Sequence, residues 1–242
     1  MSRRRPRSAG GLSVIRRLRS VPDEQLHLWL MLVLTFTTGI VDAVGYLGLD
    51  RVFTGNMTGN VVILGMAVVG ADDLPILGPL LALAGFMGGA AIGGRVLKRA
   101  AGAWTRLTTV LFAVVALLTL ALAALLFAVG DHPERAVGIT VTTLLGAAMG
   151  VQAATARFIA VKDVTTVVVT STITGLAADS TLGSGKGGGS ARRIAAVLLI
   201  LAGAAVGAAL LRWHIGGGLL VAGLLIAVVA LAGALHSRRA AA

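Results

Sequence analysis

Residues 53–60 read FTGNMTGN, a block of Thr, Asn and Gly inside a chain that is 57% hydrophobic. Hydroxyls and amides offer donors and acceptors without charge, which suits a small polar or anionic solute. Gly55 and Gly59 loosen a helix, and Asn or Thr can cap a new helix start. Upstream lies Asp42, inside an apolar run that starts at Leu26 and ends at Leu49. A charge at such depth costs roughly 2.5–3.5 kcal/mol on insertion scales, so it reads first as functional. Asp42 would hold a proton or a cation. The structural alternative is a carboxylate bonded to a nearby Thr or paired with Arg51.

A second polar stretch covers 164–178. Displaced by 112 positions, Thr166, Thr170 and Thr172 fall on Thr54, Thr58 and Asn60. Gln152 stands before it much as Asp42 stands before the first, although a lone Gln more often bonds helix to helix. The candidate solute-binding set is therefore Asp42, Thr54, Asn56, Thr58, Asn60, Gln152, Thr166, Thr170 and Thr172. Threonines have a local alternative, because they bond back to their own helix. A whole amide is harder to satisfy, so Asn56 and Asn60 lead. Asn60→Leu is expected to abolish function and spare the fold, with Asn56→Leu balanced between the two effects.

Other chemistries find no support. Cysteine is absent, so thiolate metal sites and disulfides are excluded. LGSGKGGGS at 182–190 lacks the glycine spacing and the Ser or Thr of a phosphate loop. The four histidines are scattered near span ends. No catalytic constellation stands out, and no enzyme, cofactor or metal site is expected.

The elements that must position these residues are membrane helices. Mean hydropathy is +0.92 with 13% charged residues, outside the soluble class. Six apolar blocks, at about 26–49, 74–97, 107–130, 136–159, 194–211 and 215–235, are long enough to cross roughly 30 Å of hydrocarbon. The stretches 52–70 and 164–178 are shorter and polar. If both enter and leave by one face, only Arg51, Arg135 and Arg212 of the 21 basic residues lie outside, as the positive-inside rule prefers. The fold expected is an all-α integral membrane protein of six transmembrane helices plus two re-entrant or broken polar half-helices, the first over Val61–Gly70. Non-helical backbone at that depth implies a protein-lined or watery cavity.

Three crossings and one polar segment recur in 26–130 and 131–235, which predicts an inverted 3+3 repeat with a midplane site. The basic tail 1–25 and the short tail 236–242 would both be cytoplasmic. The net charge of +11 could suggest nucleic acid, but seven of the basic residues crowd the first 19 positions and face anionic lipid better. Ladders at Gly85, Gly89 and Gly93, at Gly203 and Gly207, and at Gly146 and Gly150 predict close helix packing. They leave a homodimer open.

FTGNMTGNVV, preceded by GIVDAVGYLGL, resembles a signature of the YoaK-like family of bacterial multi-pass membrane proteins. MGVQAATARF with DVTTVVVTSTITGLAADS resembles that family's second signature. The similarity covers about 28–235 and implies a bacterial inner-membrane protein without an assigned substrate. The function expected is a transporter or channel-like protein for an unknown small solute. The alternative is a scaffold or regulatory protein whose polar segments pack against a partner.

Overall fold

A computed structural model describes residues 21–101, 104–161, 169–185 and 189–237. Thr166 and most of the basic tail lie outside these residues. The described residues form eight helices: α1 Asp23–Gly48, α2 Met57–Val68, α3 Leu77–Leu97, α4 Arg106–Val129, α5 Arg135–Ile159, α6 Val169–Ala178, α7 Ser190–Leu210 and α8 Ile215–Ser237. Six are long and apolar enough to cross a membrane, and α2 and α6 are the shorter apolar pair. The helix starts and stops follow local chemistry. Thr105 and Thr108 form a reciprocal capping box at the head of α4, satisfying main-chain donors that a helix start leaves orphaned. Gly130 ends α4 with φ 87°, a left-handed turn that costs glycine little.

The first half-helix begins earlier than the sequence predicts, at Met57 instead of Val61. Asn56 is the reason: its side chain accepts the Gly59 N–H and caps the helix there. The preceding residues turn back along α1. The Val52 N–H reaches the Gly45 carbonyl at 3.3 Å, and Gly55 lies beside Thr38 and Asp42. The segment then returns to the end it left, because Gly78 at the head of α3 sits against Val52 and Asp50. Residues 52–70 therefore enter and leave by one end of the bundle.

Glycines decide which spans touch. A Cβ on Gly89 would fall onto the Ala147 carbonyl, and one on Gly150 onto the carbonyl of Phe86. This brings α3 and α5 together, running parallel. In the same way Gly203 meets the Phe36 carbonyl and Gly39 meets the Ile200 carbonyl, joining α1 to α7 in parallel. Small residues allow this approach where lipid removes the hydrophobic drive between helices. α4 pairs with α8 antiparallel, Gly223 against Leu120 and Gly233 against Trp104. α1 also packs on α8, and α4 on α5.

Exchanging α1 to α4 with α5 to α8, in order, maps this helix pairing onto itself. The equivalent spans α1 and α5 run in opposite directions: Thr38 meets Gln152 near the middle, and Leu49 lies near Gly138 at the far end. At the end where α1 begins, His236 lies 2.6 Å from Asp23, so both ends of the described chain share one face. Arg95, Lys98, Arg99, Arg106, Arg157, Arg192 and Arg193 lie toward that face, and Arg51, Arg135 and Arg212 toward the other.

Candidate functional site

Asp42 sits about five turns into α1 and is 9% exposed. Its Oδ1 accepts three main-chain N–H groups of the re-entrant arm: Thr54 at 2.9 Å, Gly55 at 2.6 Å and Asn56 at 3.4 Å. Charge-assisted bonds to a carboxylate are the strong ones. The partners are therefore main-chain donors, Thr54 among them, so the carboxylate is bonded to a nearby Thr through the backbone and is not paired with Arg51. The arm would otherwise carry these N–H groups unpaired at membrane depth, where each costs several kcal/mol.

Asn60 closes the same arm. It is fully buried; its Oδ1 accepts the Phe53 N–H at 2.9 Å and its Nδ2 donates to the Phe53 carbonyl at 2.6 Å. Phe53 in turn stacks on Tyr46 of α1, ring centroids 4.7 Å apart. The side chain of Asn60 is thereby turned into the hairpin. Asn56 is exposed, holding only the Gly59 N–H at 3.2 Å. Of the two leading asparagines, Asn60 is spent on the hairpin and Asn56 is the one left exposed.

A cavity of about 750 Å³ opens beside Asp42. Asp42, Asn56, Thr58 and Thr170 line it, so the two polar segments, far apart in sequence, meet there through α2 and α6. Thr54, Asn60, Gln152 and Thr172 are buried outside the lining. Gln152 donates from Nε2 to the Thr38 hydroxyl at 3.3 Å, and its Oε1 is buried without a partner. Thr38 itself donates to the Leu34 carbonyl, the local bond expected of a threonine in a helix.

Sequence reasoning missed Arg157, Phe86 and Ile200, which also line the cavity. Arg157 carried one signal: it follows Gln152 by five residues, near the end of a span. Phe86 and Ile200 carried none, since they look like any apolar position of a membrane helix. The remaining walls are largely Ala and Gly of α3 and α5. The lining runs from the depth of Asp42 along Phe86, Ala90 and Gly94 to Arg157 and Ala160, toward the face where α1 begins. Among the described residues no group of three or more His, Cys, Asp or Glu is placed to hold a metal.

The cavity wall carries groups of both signs, Asp42 and Arg157. Helix N-termini present partial positive charge, and the start of α2 borders the cavity. Asp42 already takes the N–H groups of the arm that leads into α2. Arg157 adds a cation with no ion-pair partner among the described residues.

Comparison with known proteins agrees with this architecture. The profile of the family described as "Protein of unknown function (DUF1275)" matches residues 30–232. The UPF0700 transmembrane protein YoaK of Bacillus subtilis (strain 168) is 33% identical over 151 residues, which cover 62% of this chain and 65% of the relative. The matched part is thus just under two thirds of that relative's length. No solved structure matches. With six membrane-length helices and this match across nearly the whole bundle, the chain is a multi-pass membrane protein that belongs to the DUF1275 family of unknown function.

Proposed function

We propose that the protein moves a small solute across the bacterial inner membrane, as a non-enzymatic transporter built on an inverted 3+3 repeat with both termini in the cytoplasm. One observation carries the reading: Thr58 of α2 and Thr170 of α6, one from each polar segment, line a single cavity beside a membrane-embedded carboxylate. Inverted repeats with discontinuous helices place solute sites in this way. The antiparallel setting of α1 against α5, and a helix pairing that survives exchange of the halves, support the repeat. The uneven split of Arg and Lys between the two faces supports the orientation. In that orientation the cavity opens to the cytoplasm.

Uptake into vesicles tests the function. Purified protein in proteoliposomes is offered labelled short carboxylates, inorganic anions and neutral polar solutes, beside an Ala153→Phe variant. Ala153 lines the cavity, and a phenyl ring there has open space to fill. Uptake of at least one solute, reduced tenfold or more by Ala153→Phe, is the expected result. No uptake of any solute would leave a scaffold or regulatory role as the better reading.

Orientation has its own test, made simple by the absence of cysteine. Asp72→Cys and His132→Cys should react with an impermeant thiol reagent from outside intact cells. Ala101→Cys and Ser184→Cys should react only after the membrane is opened. Labelling of Asp72→Cys from the cytoplasm alone would overturn the orientation.

A further inference from the structure

We propose that the solute is a small monovalent anion, best a short carboxylate, and that it binds together with one proton held by Asp42. The proposal rests on the transport reading above and names its substrate class. Three main-chain N–H groups converge on Asp42 Oδ1, an arrangement that binds anions. Asn60 and Asn56 hold those donors in place by bonding Phe53 and Gly59. The occupant is the protein's own carboxylate, at the edge of a cavity large enough for a solute. An ionised Asp42 fills the nest and repels a second anion. A proton taken from the cavity water removes its charge and weakens Oδ1 as an acceptor. The three N–H groups can then turn to an anion beside it, and the pair enters with no net charge.

A metal ion fits this place poorly. Hard cations need several oxygen ligands, and the donors around Oδ1 point their positive ends at the oxygen. A buried acceptor nearby also lacks a donor. Gln152 is 1% exposed with its Oε1 unpartnered. It is tied to Thr38, one turn before Asp42, whose methyl borders Gly55. The same layer thus holds an acceptor surplus.

No other titratable group crowds the site among the described residues. The arm and the head of α2 contribute none, and neither do Phe86, Ala90 and Gly94 of α3 or Ile200 of α7. On α1 itself Tyr46 is stacked on Phe53. Among the described residues, Arg157 of α5 is the one other charge that lines the cavity, and it attracts an anion. Met57, Phe86, Val169 and Ile200 give the remaining wall an apolar character that suits a carboxylate with a small hydrocarbon end.

The test uses the full chain in nanodiscs with sodium formate, an anion that stays ionised across the range used. Formate binding to wild type should weaken about tenfold per pH unit once Asp42 ionises, because one proton accompanies each anion. Asp42→Asn imitates the neutral side chain, and its formate affinity should not vary with pH. Three results would overturn the proposal: no formate binding at low pH, wild-type binding that ignores pH, or a variant that keeps the wild-type dependence. The vesicle assay separates this from the reading beneath it. If wild type takes up a solute, Ala153→Phe blocks it and formate binding ignores pH, transport stands and proton coupling falls. If wild type takes up nothing, both fall.

Discussion

Asn60→Leu is expected to lower the melting temperature of the detergent-solubilised protein severely, while Asn56→Leu leaves it close to wild type. Asn60 bonds both the N–H and the carbonyl of Phe53 from a fully buried position. Leucine keeps much of the volume and satisfies neither group. Each buried main-chain group left unpaired costs about 1–3 kcal/mol, so the pair amounts to several kcal/mol. That is a large part of the total stability of a typical domain. Asn56 loses one cap, worth about 0.5–2 kcal/mol, and changes the cavity wall instead. Its variant should fold and fail in vesicle uptake. Equal melting curves for the two variants would show that the hairpin does not depend on Asn60.

A comparably large effect is expected at the helix crossings. Gly89→Leu and Gly203→Leu should fail to yield folded protein, and even alanine at either position should be strongly destabilising. The atoms in the way are main-chain carbonyls of Ala147 and Phe36, which cannot rotate aside as a side-chain tip can. Separating the backbones would undo the pairs α3–α5 and α1–α7 along their length. Gly88→Ala is the control, because nothing lies within 4 Å of a Cβ there. In a helix interior that change should stabilise by up to about 1 kcal/mol. Size-exclusion profiles and thermal unfolding of the set check the ordering. Normal behaviour of Gly203→Leu would mean that α1 and α7 do not approach as closely as described.

The sequence by itself determined the membrane class and the number of spans, because both depend on how each stretch partitions between water and hydrocarbon. The six predicted spans match the six long helices to within four residues at either end. It also marked the first break, since Gly and Asn at 55, 56, 59 and 60 are poor interior helix residues at any position in a fold. What those residues do was another matter. Asn56 caps a short helix and Asn60 stands four residues later within it, and composition makes them equivalent. They separate only because the arm 52–56 folds back on α1, which turns Asn60 inward onto Phe53 and leaves Asn56 at the cavity.

The partners of Asp42 were likewise decided in three dimensions. Its main-chain donors come from residues twelve to fourteen positions later, and Thr170 and Arg157 reach its cavity from the second half of the chain. The glycine ladders were legible as close-packing surfaces, yet nothing local says that Gly89 meets Ala147 or that Gly203 meets Phe36. A small residue permits an approach from any helix. The one that arrives is fixed by how all six spans fill the bundle together, so the site that two distant polar segments share exists only once the spans have packed.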